Sequence, residues 1–125
     1  MDNNIGDKTS HAELLPGVRV TASGNGTGVD IQDYVGRAKV LLLSSAGGGT
    51  SPTLDVKLQD SPDNSTWTDI SGATFTQVTD AADSDQAYSL DVDGAERYVR
   101  AVKTVTGTSP TFDCACALVG CKRVS

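Results

Sequence analysis

Apolar and polar positions alternate along much of this chain. Leu54, Val56 and Leu58 interleave with Asp55, Lys57 and Gln59, so a strand over 54–60 has one apolar face and one wet face. Ser61-Pro62-Asp63-Asn64-Ser65 is a dense cluster of turn-formers. Thr66-Trp67-Thr68-Asp69-Ile70 then resumes the alternation, with Trp67 and Ile70 anchoring the return. This is a β-hairpin pattern, and it recurs. Strands are predicted over 18–22, 38–45, 54–60, 66–70, 75–78, 87–92, 98–105 and 111–119, with a short pairing over 29–31. No window carries a convincing amphipathic helix, because Gly, Asp or β-branched residues interrupt each candidate.

The connections carry turn chemistry. The Gly-rich segment 46–52 reads as a long flexible hairpin loop, and Gly107-Thr108-Ser109-Pro110 as a turn between two strands. Asp93-Gly94 predicts a tight turn, and 23–28 is rich in Gly. The two strand–loop–strand stretches around 46–52 and 107–110 echo each other, which we read as repeated hairpin grammar. About eight evenly spaced strands predict an all-β fold, an antiparallel β-sandwich (jelly-roll or Ig-like) or a partly closed barrel. The polar start of the chain predicts an extended N-terminal arm over 1–17, followed by one β-sandwich domain over 18–125.

Composition narrows the function classes. At 125 residues and 38% apolar content the core must be thin, built from Val, Leu and Ala with Tyr34, Trp67, Phe75, Tyr88, Tyr98 and Phe112. A net charge of −6 with no basic cluster beyond Lys122-Arg123 argues against direct nucleic-acid binding and favours a partner with a basic surface. The longest apolar run, Val40-Leu41-Leu42-Leu43, is far too short to span a membrane, and the first residues lack a secretory signal pattern. Three cysteines, an odd number, fit free thiols in a reducing cytosol.

Candidate chemistry is sparse. His11 has no companion for nucleophilic catalysis and reads as a solvated arm residue. Cys114, Cys116 and Cys121 form CxCx4C, not the paired knuckles of a zinc site, and read as small buried thiols. The acidic groups Asp60/Asp63/Asn64, Asp80/Asp83/Asp85 and Asp91/Asp93 invite calcium, but solvated turn carboxylates explain them. We expect no enzyme activity, no cofactor and no metal. Trp67 reads as a core anchor, with a sugar-stacking platform as the alternative. Arg97, Arg100 and Lys103 mark a candidate contact surface, with ordinary solvent-facing charges as the alternative.

Taken in order, VDIQDYVGRAKVLLLSS, the Gly-rich loop, TLDVKLQDSPDNSTWTDI, SGATFTQV and ERYVRAVKTVTGTSPTFDCACALVG resemble a family of small tailed-bacteriophage head proteins. These are decoration, or cement, proteins of the capsid exterior. The resemblance runs from about Val29 to Gly120. It implies a virion structural protein, made in the host cytoplasm, that binds the major capsid protein and stabilises the head. It further implies a homo-oligomer, with a trimer favoured and a dimer next. Leu14, Leu15 and Pro16 would anchor the arm on the shell, beside Arg97, Arg100 and Lys103 as capsid or subunit contacts. The alternatives are another virion component, of the tail or head–tail joint, and a carbohydrate- or surface-binding β-sandwich module.

Overall fold

A computed structural model describes residues 9–122, with only the backbone described for 9–11, 16, 18, 121 and 122. The described chain is all-β and every strand pairing is antiparallel. Eight strands follow one another: β1 (Thr9–Val20), β2 (Gly24–Asn25), β3 (Val29–Asp30), β4 (Tyr34–Ser44), β5 (Gly48–Ser61), β6 (Thr68–Thr74), β7 (Ser84–Asp91) and β8 (Tyr98–Lys122). A first sheet runs β7-β4-β8-β1, and a second runs β6-β5-β8 with β2 and β3 on the far side of β8.

The two sheets share β8, an unbroken 25-residue strand. Its first half pairs with β5 and its second with β4 and β1. The sequence predicts two strands joined by a turn at 107–110; that turn is instead a corner inside one strand. Gly107, at φ +119°, and Ser109, at φ +50°, bend the backbone there. Segment 46–52 is not a hairpin loop either, because β4 and β5 do not pair with each other. Its Gly49 (φ +100°) and Ser51 (φ +49°) bend β5 along the same corner, with Thr50 opposite Thr108 and Thr53 opposite Thr106. The two stretches that look like repeated loops are therefore the two strands of one folded ribbon.

The expected arm is corrected as well. Residues 9–17 are part of β1, which pairs along β8 from Thr9 opposite Cys121 to Val20 opposite Phe112. Residues 1–8 lie outside the described residues. Register shifts at Glu13/Leu15 and Leu15/Val18 surround Pro16, which has no amide hydrogen to give a ladder. Such bulges allow Leu14 and Leu15 to turn inward, where they are 1% and 2% exposed. His11 thus has its backbone in β1, opposite Val119.

The core lies between the sheets and follows the period-2 pattern. Val40, Leu42, Phe112, Cys116 and Leu118 come from the first sheet, and Leu54, Val56, Leu58, Val99 and Ala101 from the second. Burying such side chains contributes about 1.5–3 kcal/mol each for the larger ones. β7 is tied to the segment after β6 through the Gln86 side chain. The Gln86 amide accepts from the Thr76 N–H at 2.7 Å and donates to its carbonyl at 2.8 Å, as a neighbouring strand would.

Candidate functional surfaces

Trp67 stands on the outer face of the second sheet, not in the core. It follows the 61–66 turn, which folds around one buried hydroxyl: Ser61 Oγ accepts from the Asp63 and Ser65 N–H groups and donates to Asp63 Oδ1. The Thr66 N–H, Ser61 hydroxyl and Ser65 N–H hold the Asp63 carboxyl below its usual range. Asn64 occupies the left-handed region at φ +61°, which Asn tolerates better than most side chains. The turn delivers the half-buried Trp67 ring over Gly28, where a Cβ would come within 2.9 Å of the indole. The Arg100 guanidinium carbon lies 4.3 Å from the ring centroid.

Arg100 continues a chain of contacts across this face. Its Nε and Nη2 donate to Gln59 Oε1 at 2.9 and 2.8 Å. Gln59 Nε2 donates to Asp69 Oδ1 at 2.8 Å, and Lys57 Nζ donates to Asp69 Oδ2 at 3.1 Å. The Gln59 amide first, then Lys57, hold the Asp69 carboxyl below its usual range. Each polar group on this path has a partner within the chain, so the face is internally satisfied.

The six contact residues expected from sequence do not form one patch. Leu14 and Leu15 are buried in this chain's own core, so they are not free to anchor a capsid. The Pro16 side chain lies outside the described residues. Arg97 immediately precedes β8, ion-paired to Asp30 at 2.8 Å and 5.2 Å from the Tyr98 ring centroid. Arg100 faces Trp67 on the outer side, while Lys103, at odd parity in β8, shares the inward-facing side with Val99 and Ala101 and is only half-buried. Period 2 places 100 and 103 on opposite faces, and that split was legible in the sequence.

The structure gathers acid that the sequence scatters. β3, β4 and β8 begin, and β5 and β7 end, at one end of the molecule. Asp30, Asp60, Asp91, Asp93 and Glu96 lie there, Asp30 paired to Arg97, and backbone donors hold four of them. The Gln32 N–H donates to Asp30 at 2.9 Å, the Glu96 N–H to Asp60 at 3.1 Å, the Gly36 N–H to Asp93 at 3.3 Å, and the Gly94 N–H to Asp91 at 3.3 Å. Next to them is an open hollow of about 350 Å³, lined by Ile31, Tyr34, Val92 and Arg97 among others. Among the described residues, no group of three or more His, Cys, Asp or Glu side chains is placed to hold a metal ion. Cys114 and Cys116 are buried free thiols.

The chain matches no protein-family model, and no curated protein matches it in sequence. Among solved structures its fold is similar to that of the SPBc2 prophage-derived protein YomS. The TM-score is 0.52 at 13% identity, over 90% of this chain and 93% of that one. At that identity the likeness establishes a shared all-β fold across nearly the whole of both chains.

Proposed function

We infer that this chain is a bacteriophage virion structural protein, and specifically a capsid decoration protein that binds the outside of the shell and stabilises the head. The observation that carries this reading is the preorganised acidic end. Asp30, Asp60, Asp91, Asp93 and Glu96 are brought together by five strand ends, and four are fixed by backbone N–H groups. Charge concentrated on a rigid scaffold steers association with a basic surface and loses little entropy on docking. The major capsid protein would supply that surface, and many copies on one lattice would turn a modest contact into stable attachment. The motif order from 29 to 120 and the fold shared with a prophage-encoded protein support the same reading.

Cryo-electron microscopy of purified virions tests it. The proposal expects density for this two-sheet domain at regular sites on the shell, acidic end inward. Density at the tail or portal instead would assign the chain to another virion component. Absence from the particle would overturn the virion reading altogether.

A further inference from the structure

The outer face of the first sheet differs from that of the second: its centre is apolar and no other described residues cover it. Leu43 lies between Asp85 of β7 and Ala115 of β8, and Leu41 between Ala87 and Ala117. Leu43 is 50% exposed, the one large hydrophobic side chain exposed among the described residues. Beside it Gly17 and Ala115 floor a shallow hollow of about 460 Å³. Isolated surface leucines are ordinary, but here a projecting Leu, a second Leu and three alanines share one flat face with a hollow alongside.

Charge is ordered along this face. Asp85 stands beside Leu43, while Lys39 follows Leu41 on β4 with Arg37 beyond it. Among the described residues Lys39, Arg37, Asp85 and Glu13, which stands opposite Ala117 on β1, make no ion pair, whereas Arg19 and Asp113 hold each other at 3.0 Å. Along β4 a negative group thus stands beside Leu43 and positive groups follow Leu41, while Glu13 flanks the stripe beyond Ala117 on β1.

We propose that this face is a twofold contact between two copies of the chain. A twofold axis lying across the strands near Leu41 and Leu43 reverses the charge order. It brings Lys39 of each copy to Asp85 of the other while the leucines of the two copies pack together. An isologous contact needs one patch that carries both halves of its complement, and this patch does. Three to four strands about 4.8 Å apart, over roughly 20 Å of their length, give on the order of 400 Å² per copy. That total is below the roughly 1,200 Å² of a stable standard interface, so the pair forms at high local concentration, as on a surface array. The contact leaves the acidic end free and does not depend on the virion reading.

Sedimentation velocity of the purified chain, from micromolar to millimolar, tests the proposal without any phage component. A concentration-dependent monomer–dimer equilibrium is expected. Leu43→Glu should remain monomeric throughout, with an unchanged far-UV CD melt because the site is half exposed. Lys39→Asp and Asp85→Lys should each weaken the dimer by about tenfold or more, and an equimolar mixture of the two should associate again. A wild type that stays monomeric, a Leu43→Glu variant that still dimerises, or charge variants that fail to pair on mixing would each overturn it. A monomeric wild type whose Leu43→Glu variant loses binding to shells would assign the face to another partner and overturn it too.

Discussion

Gly107→Ala puts the corner of β8 under a measurable load. At φ +119° an L-residue lies outside even the left-handed helical well, a conformation that costs about 1–3 kcal/mol. The new Cβ would also meet Pro52 Cα and Ser51 O at 2.9 Å and Thr50 O at 3.0 Å. Two of these are backbone carbonyls and the third an α-carbon, so no side chain can swing away and β5 itself must shift. Overpacking of that kind costs roughly 1–3 kcal/mol more. Gly36→Ala is the internal control: its φ is +71° and a Cβ there meets nothing within 4 Å. Its strain is about 1–2 kcal/mol. Both variants share the same gain from stiffening the unfolded chain, so their difference isolates the clash and the excess strain.

Thermal melts by far-UV CD and urea titrations by Trp67 fluorescence read that difference. With about 4 °C of Tm per kcal/mol at this chain length, Gly36→Ala should lower Tm by roughly 4 °C and Gly107→Ala by roughly 12 °C or more. The urea m-value should hold, because both variants expose the same surface on unfolding. If Gly107→Ala melts within about 2 °C of Gly36→Ala, the corner yields easily and β8 does not lock its two sheets together.

Two further outcomes follow from buried and stacked groups. Burial pushes the Cys116 thiol up to about 12 and raises Cys114 as well, so iodoacetamide at pH 8 should leave both unmodified in the folded protein and label both in urea. Thiols raised on folding contribute stability that is present below their unfolded pKa of roughly 8.5 and is lost as pH climbs toward 12, so Tm should fall above about pH 9. A flat Tm through that range would refute the burial assignment. Arg100→Ala removes the cation from Trp67 and both donors from Gln59, and should cost about 1 kcal/mol and shift the indole emission to the red. An unchanged emission maximum would show that the ring does not depend on the guanidinium.

Much of the secondary structure was legible because period 2 is a local signal. The alternation at 54–60 lies within β5, with Leu54, Val56 and Leu58 inward and Asp55, Lys57 and Gln59 outward. The 61–65 turn and the strands at 38–45 and 87–92 were readable for the same reason. The buried cysteines were predicted from their parity with Phe112 and Leu118. Trp67 was misplaced because the sequence does not say which side of a sheet is covered. Its partners, Gly28 and Arg100, lie far from it along the chain.

What the amino-acid sequence determined by itself is an all-β chain, the inward and outward parity of its strands, and its acidic balance. Each rests on residues within one strand or one turn, where sterics and solvation act locally. Tertiary structure alone decided that 98–122 is one strand, since Gly107 reads as a turn until Gly49 and Ser51 are seen bending beside it. It also decided that Leu14 and Leu15 belong to the core, because an edge strand becomes one only when β8 offers its free ladder. The gathering of acid at the end where β8 begins and the apolar face around Leu43 depend likewise on which strands become neighbours. Long-range pairing sets those neighbours, and no local pattern encodes it.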